Sequence, residues 1–331
     1  MRDPRLPFAA IVVFFIASAV VCPFIGQTSI SLNEIWSGDG MSGPVFWQLR
    51  VPRVLAALLA GAALSLSGVA FQALFRNPLA APFTLGVSSG AGLGAALYVR
   101  LGLAFTFVGI GGVALAAFAG AAGAMLLVYG LSRVRGSMAS NTLLLAGVAI
   151  SFTCSSLILF VQYTADLYDS FRMLRWMMGG LGVVGYADLR TLAPFALGGG
   201  AAILLLRREL DLLMTGEELA QARGLDLART QTLIFFAVSF MVGGVVAVCG
   251  PIGFIGLIAP HTARLLVGHS HRWLAPASML FGAGFLALSD AVARTVFAPA
   301  EIPVGVLTAM LGGPFFLLLL VTRGPGWTRA K

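Results

Sequence analysis

The chain has 331 residues, 59% of them hydrophobic and only 10% charged, and its mean hydropathy is +0.95. Soluble domains carry roughly 25% charged residues, so this chain cannot cover a water-facing surface, which excludes soluble enzymes, disordered chains and secreted disulfide scaffolds. The formal charge is +8, but its arginines lie scattered between apolar runs, as topology signals and headgroup anchors do, and do not gather into a nucleic-acid-binding patch.

The apolar runs are continuous and far longer than the alternating segments of about ten residues that build a membrane β-barrel. Stretches free of Asp, Glu, Lys and Arg cover 6–33, 54–75, 77–99, 101–132, 136–165, 191–206, 230–263, 273–289 and 302–322. A hydrocarbon core of about 30 Å takes roughly 20 helical residues, so most of these runs hold one span. The run 230–263 carries Gly250-Pro251 near its middle, and Pro disfavours helix at the residue before it; this run is read as two spans. The chain is therefore expected to be an all-α polytopic membrane protein with about ten transmembrane helices in a single domain, 1–331. Arg2, Arg5 and Ala17-Ser18-Ala19 give the first run some character of a cleavable signal. The apolar run continues to Ile25, and it is read as a retained first span.

Ten spans put both termini on one side. With the termini in the cytoplasm, 14 of the 21 basic residues fall inside, as the positive-inside rule requires. The seven left outside include Arg50, Arg53, Arg172, Arg175 and Arg294, and their clustering asks for a reason. Small residues repeat every fourth position at Ala57, Gly61 and Ser65, at Gly86, Gly90 and Gly94, and at Gly305, Ala309 and Gly313. Such spacing lets helices approach closely in lipid. Asp290 is the only acid inside an expected span, four residues before Arg294, which suits an i,i+4 pair. An ion-coupled carrier keeps ionisable groups near the midplane, and their scarcity argues against that class. His261, His269 and His271 have no acids grouped with them as metal ligands, and no metal site or catalytic residue is expected. The segment 207–230 is the most polar of the chain. Thr215 followed by Glu218 has the form of a capping box, Gly224 suits a helix C-terminus and Asp226 an N-cap. Two short helices are expected here.

Taken together, LRVPR at 49–53, FRNPLAAPFTLGVSSGAGLG at 75–94, LLLAGVA at 143–149, GEELAQARGLD at 216–226, GPIGFIGLIAPHTAR at 250–264, SDAVAR at 289–294 and EIPVGVLTAMLGGPFF at 301–316 resemble the FecCD/BtuC-like permeases of bacterial importers for iron chelates, haem or cobalamin. The resemblance implies the type II fold of ATP-binding-cassette importers in the bacterial inner membrane, with ferric siderophore the expected cargo. It implies a second permease subunit, expected as a homodimer, two ATPase subunits and a periplasmic or lipid-anchored substrate-binding protein. ATP and Mg would sit on the ATPase, and no cofactor on this subunit; GxxxxGK[ST] is absent, Lys331 being the only lysine. Glu217, Glu218, Ala220 and Gly224 fall on the family's ATPase-coupling motif. Arg50, Arg53 and Arg294 match outward-facing arginines that dock the binding protein. Asn77 and Leu79, with Ser140 and Asn141, match gates of the pathway. Segment 167–178 matches a short outer gating helix, and reads equally as an interfacial helix anchored by Trp176.

Overall fold

The computed structural model describes residues 4–28, 30–37, 40–107, 109–134, 140–182 and 185–322. The elements in chain order are α1 (Arg5–Val21), α2 (Leu32–Ser37), α3 (Ser42–Pro44), α4 (Val51–Phe75), α5 (Val87–Arg100), β1 (Thr106–Phe107), β2 (Ile110–Gly111), α6 (Gly112–Val134), α7 (Ser140–Tyr163), α8 (Leu167–Met177), α9 (Ala187–Leu205), α10 (Arg207–Leu213), α11 (Glu217–Ala222), α12 (Leu227–Cys249), α13 (Ile255–Val267), α14 (His271–Ala293) and α15 (Val304–Thr322). The two strands form only a small antiparallel hairpin, Thr106 opposite Gly111.

Seven segments are long and apolar enough to cross a membrane, and α13 and α15 are shorter apolar helices. With α5, a helix of 14 residues, the described residues hold the ten spans expected from the charge spacing. The long run 230–263 does break where Gly250-Pro251 stands. The chain leaves α12 through Gly250 at φ +66 and enters α13 through Phe254 at φ +67. The two halves are unequal, 23 and 13 residues.

The core is α4. Of its 25 residues, the stretch from Ala63 to Phe75 is buried throughout, enclosed by α9, α12, α13 and α14. Lipid tails are as apolar as leucine, so this packing rests on close approach rather than on the hydrophobic effect. Gly61 lies against the backbone of Gly282 on α14, and Gly68 against that of Gly256 on α13; a Cβ at either would overlap a carbonyl group. Ser65, between them, donates to the Ser278 carbonyl. A second bundle, α5 with α6 and α7, joins through α12, and Gly90 and Gly94 meet Gly120 and Ala116 of α6 in the same way. Gly86 departs from that stripe and caps α5 instead, at φ +83. On α15, Gly305 lies against the carbonyls of Met178 and Pro251 and Gly312 against the Phe254 ring, whereas Gly313 faces open space. Large apolar side chains such as Val13, Phe152 and Leu317 are left on the outside of the bundle.

Two glycines therefore differ in what they tolerate. Gly68→Ala should cost about 1–3 kcal/mol through overpacking, read as a lower melting temperature of the purified protein in detergent. Gly313→Ala, with nothing in its way, should leave that temperature unchanged or raise it, since Ala favours helix over Gly. Equal effects at both positions would contradict the backbone contact at Gly68.

Candidate functional site

Functional residues gather at the two ends of α4. The arginine end begins with a single π-helical stretch, Val45–Arg50, that runs directly into α4; such turns recur at functional sites. Arg50 and Arg53, expected on one outward face, diverge. The Arg50 guanidinium reaches back to the segment after α1, where Nη1 donates to the Phe24 carbonyl at 3.1 Å and Nη2 to both oxygens of Thr28. Gly26 leaves the room it occupies. Arg53 turns to α14 and holds Asp290 with two nitrogens, Nε to Oδ2 at 3.0 Å and Nη2 to Oδ1 at 2.9 Å. Its remaining Nη1 donates to Glu301 at 2.9 Å. Arg294 donates to the Cys22 carbonyl at 2.9 Å, and its Nε lies 3.6 Å from Asp290, so the expected i,i+4 pair is present but secondary to Arg53.

Arg50 and Arg294 are 5% and 4% exposed. The expectation of three outward-facing arginines is corrected here: two are turned inward and committed to backbone carbonyls, and Arg53 alone keeps partial access. The physical reason is that a buried guanidinium carries five donors that need acceptors; the segment after α1 supplies carbonyls to both arginines, while the Arg294 Nε has no hydrogen-bond partner among the described residues. The corner still holds three cations against two acids.

At the opposite, loop end, one of the two expected short helices forms, as α11, and a short helix not expected from the sequence, α10, precedes it. The capping box does not form: Gly216, at φ +105, is the N-cap of α11, with no side-chain cap, and the Thr215 hydroxyl donates back to Leu212 at 2.8 Å. Glu217 and Glu218 do occupy the first turn, where the macrodipole favours anions. Ala220 is fully buried beneath them. Gly224 ends the helix at φ +84. Its N–H bonds to Gln221 and that of Leu225 to Ala220, the paired bonds of a Schellman motif. Asp226 caps the long α12, accepting from Arg229 N–H at 3.0 Å, rather than a further short helix.

Two contacts fasten this loop to the bundle. Arg76, in the left-handed conformation just after α4, pairs with Glu217 at 3.0 Å. Asp211 of α10 accepts from the backbone N–H of His271 at 2.9 Å and meets its ring Nδ1 at 2.6 Å. Burial would raise the Asp211 carboxyl, but the His271 bonds outweigh it and hold it below the usual carboxylate range. The stability this contact gives is complete above the ordinary value of about 3.9 and is lost as pH falls through the lowered one. His269 nearby is pushed down by burial and by the charges of Arg264 and His271. Within the bundle itself, buried Gln72 of α4 accepts from Arg264 of α13 at 2.7 Å.

Asn77 and Leu79 follow Arg76 in a tight turn, Asn77 Oδ1 accepting from Leu79 N–H at 2.9 Å, with Leu79 exposed. Ser140 opens α7, but the side chains of Ser140 and Asn141 lie outside the described residues. In α8, Asp166 caps the helix through Asp169 N–H, and Leu167, Tyr168 and Phe171 are exposed. The Asp211–His271, Arg53–Glu301 and Arg53–Asp290 contacts had no signal in the sequence, which pairs Asp290 only with Arg294.

The profile of the FecCD transport family matches residues 10–322. The chain belongs to the FecCD transport family. Among relatives of this FecCD chain, the hemin transport system permease protein HmuU of Yersinia pestis is 36% identical over 97% of both chains. The vitamin B12 import system permease protein BtuC of Klebsiella pneumoniae is 43% identical over 90% of each. A solved structure described as a metal-chelate type ABC transporter in an inward-facing conformation superposes with a TM-score of 0.86 at 34% identity. It covers 97% of this chain and 100% of that one. The FecCD chain is thus a multi-pass membrane permease of the ABC type, built on the metal-chelate transporter fold.

Removing one partner of a buried ion pair leaves an uncompensated charge and costs about 3–5 kcal/mol. Asp290→Ala should therefore lower the yield and melting temperature of the membrane-inserted protein sharply. The double variant Arg53→Met, Asp290→Ala should recover much of the loss; a double variant as unstable as the sum of the singles would contradict the pairing.

Proposed function

We propose that this chain is the transmembrane permease subunit of an ATP-binding-cassette importer that carries a metal chelate, a ferric siderophore, into the cytoplasm. The observation that carries the reading is the family match over 10–322 together with relatives named for hemin and vitamin B12, both bulky metal chelates. The loop end faces the cytoplasm with both termini, in the bacterial inner membrane, and α11 docks in a separate ATPase that holds ATP and Mg. The ATPase-facing surface is supplied by Glu217 and Glu218 over buried Ala220, with Gly224 closing the helix. A second copy of the subunit completes the pathway, and alternating access moves the cargo past the turn at Asn77 and Leu79 and past Ser140 and Asn141. The arginine corner, with its surplus positive charge, faces an extracytoplasmic binding protein, with Arg53 at its accessible edge and Arg50 and Arg294 adding to its field. The subunit itself performs no chemistry and binds no cofactor.

The test is uptake by proteoliposomes holding the permease, its ATPase and its binding protein. ATP-dependent uptake of an iron-labelled siderophore supports the cargo, and uptake of haem or cobalamin alone overturns it. Uptake that persists without the ATPase overturns the importer class.

The coupling role has its own check in the Arg76–Glu217 pair. Glu217→Arg should lower uptake. The swap Arg76→Glu, Glu217→Arg restores the internal pair with reversed polarity, and uptake should stay low because the ATPase reads the charge on α11. Full recovery in the swap would reduce Glu217 to an internal brace.

A further inference from the structure

At the arginine end a cavity of about 360 Å³ opens between α8 and the start of α15. Its walls are Arg53, Arg172, Arg175, Trp176 and Glu301, and its floor is formed by the end of α12 at Cys249 and Gly250. The volume falls within the range of small-molecule pockets, roughly 300–1,000 Å³. Its floor lies at the break between the 23-residue α12 and the 13-residue α13, where Gly250 and Phe254 take positive φ. Broken helices commonly bound substrate sites in transporters.

The charges of the cavity are unevenly satisfied. Arg53 is held by Asp290 and Glu301, each at 2.9 Å. Arg172 meets Asp169, one turn back on the same helix at 3.3 Å, a surface pair of little strength, and lies over the Tyr168 ring at 5.7 Å. Arg175 makes no ion pair among the described residues. The two arginines are three residues apart on α8, so they sit on one face. Beside them stands the half-buried Trp176 ring, an apolar wall with a polar edge.

Building on the importer reading, we propose that this cavity is an entry subsite for a carboxylate of the passing chelate, received by Arg172 and Arg175, so that the cargo is an anionic, carboxylate-bearing chelate. A planar guanidinium takes a carboxylate with two parallel bonds. The concave shape favours a small ligand over the flat face of a docked protein.

The permease–ATPase complex in lipid nanodiscs is titrated with ferric EDTA, an anionic carboxylate chelate, and with ferric acetylacetonate, a neutral complex. Binding is followed by quenching of tryptophan fluorescence, with Trp176→Phe as the control for the reporting ring. Wild type should show saturable quenching with ferric EDTA and little with the neutral complex. Arg172→Gln with Arg175→Gln should raise the apparent Kd for ferric EDTA roughly tenfold, the scale of one lost charge-assisted hydrogen bond, while basal ATP hydrolysis is unchanged. Arg172→Lys with Arg175→Lys should recover part of the affinity. No saturable quenching in wild type, an unchanged Kd in the double Gln variant, or equal loss for both complexes overturns the subsite. If that variant instead loses the binding protein in pull-down and keeps ferric EDTA affinity, the arginines are a protein-docking surface and the proposal is wrong. Failure of the importer reading looks different: ferric EDTA still binds, but no chelate is carried under ATP.

Discussion

Contact between the backbones of α4, α13 and α14 is the constraint on which the rest of this structure depends. Inside a bilayer there is no water to expel, so helices hold together through dispersion, hydrogen bonds and fit. Gly61 and Gly68 remove the side chains that would keep Gly282 and Gly256 at a distance. Once those backbones touch, the Ser65–Ser278 and Gln72–Gly256 bonds can close, since each needs a carbonyl within reach of a short or fixed side chain. The same approach aligns α14 with α4 so that Asp290 meets Arg53, two residues 237 positions apart in the chain. The ion pair is in this sense a result of the packing, and its geometry is bidentate because the packing leaves little freedom.

Much of this architecture is legible in the sequence because the bilayer imposes a simple rule. Charges are expensive inside it, so their spacing marks the spans, and the break at Gly250-Pro251 follows from backbone chemistry alone. What the sequence hides is direction. Arg50 and Arg53 are neighbours in a pattern that reads as one basic face, yet one reaches the loop after α1 and the other α14. That choice depends on which carbonyls and carboxylates the tertiary fold delivers. Thr215 and Glu218 have the spacing of a capping box, but Gly216 between them starts the helix from a conformation open to glycine, and the threonine turns back to α10. Local spacing gave the existence and ends of α11; its start was decided by a glycine.

The loop end shows how a short helix is held without a core of its own. A helix of six residues is unstable alone, since nucleation is costly. Here α11 is closed by the Gly224 motif, seated on Ala220 and tied sideways to Arg76. Its neighbour α10 is pinned to the start of α14 through Asp211 and His271. The loop is thereby joined to the bundle at more than one point, and any motion of it cannot be independent of α4 and α14.

One consequence follows from the length of α4. Arg53 is near one tip and Arg76 just past the other, and the 25 residues of the helix span about 37 Å with no proline or irregularity between Val54 and Phe75. Its middle is gripped by glycine contacts on two sides, as a beam is held at a pivot. A rotation of ~10° about that pivot would carry the two tips about 3 Å in opposite senses, given the helical rise. The arginine corner and the α10–α11 loop are in that respect two ends of one see-saw, and a load on either is felt by the other without any change in the helix itself.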